Sequence, residues 1–175
     1  GSESVTWGEM VEARLLAEFR RQDVPVQRLR PAVVRLREEF GPYPLAQARP
    51  FLDVEGKELV RRVQDEVALD APLRLVVVRN DQYLLADVTE RFRAAVEYDD
   101  GVVTRFRPER RTPDVVMDAR RAFGQPAVRN VRADTLAEAY RAGSTRDELA
   151  ELFDLTAEQV DSALRFEMIV GSNAG

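Results

Sequence analysis

Arginine is the side chain in this sequence with the most chemistry to offer. Lys57 is the only lysine among 26 cationic residues, which leaves 25 arginines. A guanidinium presents a rigid fork of donors that matches carboxylates and phosphates. Arg107, Arg110, Arg111, Arg129 and Arg132 fall on connectors punctuated by proline and glycine. From there a side chain can reach the carboxylates of an acidic partner. A second set, Arg28, Arg30, Arg35 and Arg37, repeats at seven residues, almost two helical turns. Arg28 and Arg35 therefore share one flank of a helix, and Arg30 and Arg37 the other. Residues 12 to 37 carry seven arginines against three acids, a local cationic ridge suited to DNA phosphates. The alternative is that the arginine stems cover the rim of an apolar stripe while their heads stay in water.

Other chemistries are closed or weak. There is no histidine and no cysteine, which excludes disulfides, Cys/His zinc sites and any Ser-His or Cys-His nucleophile. The 31 acidic residues leave a carboxylate-held magnesium or an acid/base pair open, but scattered carboxylates are ordinarily solvated surface. No Gly-rich phosphate loop follows a strand-like run. The expectation is a non-enzymatic protein with no cofactor and no metal. The composition, 45% hydrophobic and 33% charged, is that of a globular chain. No apolar run approaches the ~18 residues a membrane helix needs, so the sequence reads as cytoplasmic. Gly1 and Ser2 read as the remnant of a cleaved tag.

The elements that must position these arginines fall into three parts, an α+β arrangement. Residues 5–46 predict a helical hairpin. Trp7, Met10, Val11, Leu15 and Phe19 form one apolar stripe with Thr6 as N-cap, and Val26, Leu29, Val33, Leu36 and Phe40 form a second that ends at Gly41. Such narrow stripes need a further element, or a second copy, to cover them. Residues 47–112 predict a small antiparallel sheet domain. It would comprise a hairpin of 51–54 and 57–63 about Glu55-Gly56, a strand over 73–78, a short helix opened by an Asp87/Glu90 capping box, and a hairpin about Asp100-Gly101. Residues 113–170 predict a strand at 115–117, then three short helices capped by Asp134, Thr145/Glu148 and Thr156/Gln159, with Gly143 stopping the first. That is the outline of a helix-turn-helix module. Before it, Phe123, Gly124 and Pro126 read as an apolar anchor and stiff turn aiming the connector at the packed body.

The stretch VVMDARRAFGQPAVRNVRADTLAEAYRAGSTRDELAELFDLTAEQVDSALRFE, residues 115–167, resembles the bacterial VapB-type antitoxin family whose C-terminal module was catalogued as a domain of unknown function. Asp118, Gly124, Pro126, Arg132, Gly143, Thr145, Leu155, Thr156, Glu158, Gln159, Val160, Ala163, Leu164 and Phe166 carry the match. Asn130-Val131 and Ala119 depart from the pattern, where the family usually has Gly-Thr and proline. Residues 6–41 also resemble the helical segment that, in longer relatives, follows a MerR-like DNA-binding head not present in this sequence. The resemblance implies an antitoxin that silences a PIN-type ribonuclease toxin and binds operator DNA to repress its own operon. Operator binding would run through the arginine ridge or through that head. PIN-type nucleases hold magnesium with clustered carboxylates, so an inserted connector arginine could displace metal and RNA.

Charge qualifies the helix-turn-helix outline. Residues 144–167 hold two arginines and seven acids, and an acidic face is repelled by DNA. Glu158, Asp161 and Arg165 on the third helix are therefore assigned to a protein partner or to self-association. The expected partner surface comprises these three with Arg107, Arg110, Arg111, Phe123, Arg129 and Arg132. The expected assembly is a homo-oligomer. The runner-up function is a stand-alone DNA-binding regulator with no toxin.

Overall fold

The computed structural model describes residues 5–173. The Gly1-Ser2 remnant inferred above lies outside them. The chain has an α+β fold and divides into two compact units, Gly1–Val103 and Thr104–Gly175.

In the first unit, α1 (Trp7–Arg20) opens with a complete capping box. The Thr6 hydroxyl accepts from Glu9 N at 3.2 Å, and the Glu9 carboxylate accepts from Thr6 N at 3.0 Å. A 3₁₀ turn, Val26–Leu29, leads into α2 (Arg30–Phe40), whose Pro31 sits in the first turn, where no intrahelical donor is required. The narrow stripes are covered by later elements of the same unit. α1 packs on α5 (Asp87–Ala95) and on the 3₁₀ turn Pro44–Ala46, and α2 packs on α4 (Val54–Glu66).

Helix α4 corrects the expected hairpin at 51–63. Gly56 is not a turn. It lies inside the helix, where a Cβ would collide with the carbonyl oxygen of Arg49 in α3 (Arg49–Leu52), so it permits close packing of the two helices. The strand expected at 73–78 is instead β1 (Val76–Arg79), paired antiparallel with β2 (Gln82–Leu85). Asn80 and Asp81 join them with φ of +51° and +60°, the two positive torsions of a type I′ turn. The fully buried Gln64 of α4 ties helix to hairpin. Its Nε2 donates to Val76 O at 2.9 Å, and its Oε1 accepts from Leu75 N at 2.8 Å and Val76 N at 3.1 Å. Helix α5 forms without the expected box: Ala86 occupies the N-cap, and Asp87 is already the first helical residue. The Asp100-Gly101 turn joins β3 (Val96–Asp99) to β4 (Val102–Phe106) as expected.

The second unit begins within β4. Its Arg105 and Phe106 pair with Asp118 and Met117 of β5 (Met117–Asp118). The strand expected at 115–117 thus starts later. β6 (Ala127–Val128) and β7 (Val131–Arg132) form a two-residue-loop hairpin, and Val116 exchanges hydrogen bonds with Ala127 at 2.9 and 3.0 Å. Three helices follow: α6 (Ala133–Arg141), α7 (Arg146–Phe153) and α8 (Ala157–Asn173). Leu136, Leu149, Val160, Ala163 and Phe166 bury their stripes together with Val115 and Val128.

The ends of these helices set their angles. Gly143, at φ +114°, donates to Tyr140 O while Ser144 N donates to Ala139 O, the paired bonds of a Schellman motif. Thr145 accepts from Glu148 N at 3.1 Å. Thr156 and Gln159 form a reciprocal box at 3.1 and 2.9 Å. Asp134 does not cap α6 as expected. Arg132 is at the N-cap, with no side-chain cap bond, and Asp134 lies in the first turn. Among the described residues, no helix is long and apolar enough to cross a membrane.

Candidate functional site

Two of the five connector arginines, Arg107 and Arg129, meet in the second unit. β4, β5 and the β6–β7 hairpin are each so short that their flanking side chains crowd one opening beside α8. The result is a recess of about 270 Å³ lined by Arg105, Arg107, Arg121 and Arg129, with Asp114, Asp118 and Gln159. Four guanidiniums thus face two carboxylates, and both carboxylates are held by the protein itself. Asp118, only 13% exposed, accepts from Arg120 N at 2.8 Å and lies 3.3 Å from Arg105 Nε. Asp114 accepts from the Ser162 hydroxyl at 3.0 Å. Arg129, which also lines the recess, donates to the Asp154 carbonyl at 3.0 Å. Arg107 and Arg121 have no acidic partner among the described residues.

The expected partner residues divide between this recess and its surroundings. Arg107 and Arg129 line it. Arg110 is exposed on the neighbouring turn. Arg111 is engaged by Glu109 through Nε at 2.8 Å and Nη2 at 3.3 Å. Arg132 makes a bidentate pair with Asp134 at 3.0 and 2.6 Å. That pair lowers the Asp134 pKa and raises that of Arg132, the hydrogen bond being the main cause in each. Sequence reasoning missed Arg105 and Arg121. They come from a strand and a bridge 16 residues apart, and only the Asp118–Arg121 bridge and the β4–β5 pairing bring them together. No spacing in the sequence signals it.

Phe123 overturns the anchor reading. Its side chain is 96% exposed and packs on nothing in the body. The backbone holds it outward through three consecutive positive torsions, Ala122 +50°, Phe123 +55° and Gly124 +75°. Left-handed geometry is unfavourable for residues with a Cβ, and strain of this kind gathers at functional positions.

On α8, Glu158 and Arg165 are exposed. Asp161 is tied to Arg146 at 2.9 Å, beside an open groove that also borders Tyr140 and Thr145. Glu167 near the end of the helix has its pKa raised, chiefly by burial and then by the charge of Asp134.

In the first unit, the arginine ridge is largely spoken for. Arg28 pairs with Asp70 at 2.9 Å, and Arg37 lies 3.5 Å from the buried Glu12. Arg35 contacts Glu38, Glu39 and Glu66 at 3.0, 3.0 and 3.1 Å. Arg30 has no acidic partner among the described residues. Also among the described residues, no cluster of three or more acidic side chains could hold a metal ion.

Three similarities give this geometry a context. Residues 115–166, which hold part of the recess wall, α6, α7 and most of α8, match the family described as a protein of unknown function, DUF433. Over 172 residues the chain is 34% identical to the uncharacterized protein Rv2308 of Mycobacterium tuberculosis, covering 93% of this chain and 70% of that protein. The chain belongs to the same family as that protein. A second member from the same organism, named "Putative antitoxin VapB45", is 31% identical over 164 residues, covering 89% of this chain and 68% of its own length. The crystal structure of Rv2018 from Mycobacterium tuberculosis has the same fold, with a TM-score of 0.74 and 30% identity, over 90% of this chain and 77% of that one.

Proposed function

We propose that this protein is the antitoxin of a toxin–antitoxin pair, and that it binds and silences a PIN-type ribonuclease without catalysing a reaction itself. The observation that carries this is kinship along almost the whole chain with the protein named "Putative antitoxin VapB45". The surface chemistry is consistent with it. Phe123 and Arg110 project from the connectors, an aromatic and a cation of the types that dominate binding energy at protein interfaces. A nuclease that holds magnesium with clustered carboxylates offers Arg110 a bidentate partner once the metal is displaced. Glu158 and Arg165, exposed on α8, extend the contact surface. Autoregulation is part of the proposal: operator phosphates would meet the ridge formed by α2 and by the preceding 3₁₀ turn, which carries Arg28 outside the helix. There, Arg30 is free to bind, whereas Arg28, Arg35 and Arg37 must first exchange an internal carboxylate. Self-association would present two such ridges to a symmetric site.

The test is titration of the proposed PIN-type toxin with this protein while RNA cleavage is followed. Stoichiometric loss of cleavage is expected, and the R110A/F123A double variant should inhibit only at much higher concentration. Full cleavage at saturating wild-type protein rules the function out.

A further inference from the structure

The recess in the second unit is concave, so it cannot be what enters a nuclease. A concave site receives a group. At about 270 Å³ it falls just below the ~300–1,000 Å³ of pockets that enclose drug-sized ligands, which leaves room for a small group and its waters. Four guanidiniums line it, from Arg105, Arg107, Arg121 and Arg129, against an apolar floor of Pro113, Val116, Ala127 and Val128.

The charge of the recess selects the ligand further. Two of the four guanidinium charges are balanced by Asp114 and Asp118. Both carboxylates also accept from internal donors, the Ser162 hydroxyl and the Arg120 amide, which hold them in place. Two positive charges remain uncompensated, and Arg107 and Arg121 carry forks with no acidic partner among the described residues. A phosphate monoester carries about −1.5 to −2 at neutral pH and presents three acceptor oxygens. It matches both the number of charges and the number of converging forks better than a carboxylate or a phosphodiester, each with one negative charge. The setting strengthens this. Residues 105–132 hold eight arginines and three acids, in a chain whose net charge is −5, so the cationic field is local and built.

We infer that this recess is a binding site for a phosphate monoester, either inorganic phosphate or the terminal phosphate of a nucleotide or nucleic-acid end. Arg107 and Arg121 grip it bidentately, Arg129 and Gln159 close its sides, and Arg105 is held in place by Asp118. Binding of this kind requires no toxin, so it goes beyond the antitoxin reading and stands or falls separately from it.

The test uses the full chain alone. Thermal melting is followed at constant ionic strength with inorganic phosphate, with acetate, and with no added anion. At a hundredfold excess over Kd, phosphate should raise Tm by about 5–10 °C, and acetate should not. The phosphate effect should shrink below about pH 6, where the second ionisation is lost. The R107Q/R121Q variant should melt like wild type without phosphate and lose the shift, while R91Q/R141Q, which removes the same two charges from exposed positions outside the recess, should keep it. A 5′-phosphorylated oligonucleotide and its unphosphorylated twin identify the source. Tenfold or greater preference for the phosphorylated strand over inorganic phosphate assigns a nucleic-acid end, and parity assigns the free anion. Absence of a phosphate shift, an equal shift with acetate, or an undiminished shift in R107Q/R121Q overturns the assignment.

Discussion

Phe123 offers the sharpest separation of stability from binding in this molecule. Because its side chain is 96% exposed, truncation to alanine removes no packing, and F123A should stay within about 0.5 kcal/mol of wild type. F123G tests the backbone. At φ +55° a residue with a Cβ carries roughly 1–2 kcal/mol of left-handed strain that glycine escapes. Glycine also costs about 0.5–1 kcal/mol in unfolded-chain entropy, so the net gain is near 0.5 kcal/mol, or about 1–2 °C in Tm. Both variants lose the aromatic contact with a partner. A central aromatic anchor contributes at least about 2 kcal/mol, roughly thirtyfold in Kd. Thermal melts and isothermal titration against the cognate nuclease should therefore show F123G as slightly more stable than wild type and much weaker in binding. If F123A is destabilised by more than about 1 kcal/mol, the side chain packs in solution. If either variant binds like wild type, Phe123 is not an anchor. Either result refutes the reasoning.

Three further outcomes follow from the geometry. Q64L leaves two amides and one carbonyl of the buried β1 segment without partners and should cost at least about 3 kcal/mol, read by urea denaturation. Burial raises the Glu167 pKa above the ordinary glutamate value, so its ionisation opposes folding. That penalty is fully present above the raised pKa and vanishes as pH falls below the unfolded value, so E167Q should raise Tm near pH 7–8 and match wild type near pH 3. Operator binding, measured by anisotropy across salt concentrations, should lose about one unit of log–log salt slope in R30A if α2 meets phosphates. An unchanged slope moves the DNA contact elsewhere.

What the sequence disclosed was local in origin. Thr6, Thr156 and Gln159 announce helix starts because the capping bond spans only three residues, and Gly143 announces a stop because the next turn needs a positive torsion. Asp134 misled because an acid in the first turn has the same composition as one at the cap; what decides between them is its pairing with Arg132. The 51–63 error has a similar root. Gly56 and the β-branched Val54, Val60 and Val63 read as a hairpin. The spacing of Gly56, Val60, Val63 and Gln64, all buried on one side of α4, is helical, and the reason for a glycine there is the Arg49 backbone, which no sequence window contains. Strand β2 went unrecognised although Asn80-Asp81 is a turn signal, because its own burial alternates only weakly. The recess was half legible. Arg107 and Arg129 stand out on connectors, whereas Arg105 and Arg121 enter through strand pairing and a bridge.

The central claim is that this fold presents its connectors to a carboxylate-bearing nuclease and stops it. Its most direct measurement is cleavage of RNA by the proposed PIN-type toxin, as the purified protein is added. Activity should fall to zero at a fixed molar ratio, with both chains eluting together. Cleavage that continues unchanged, with the two chains eluting apart, contradicts it.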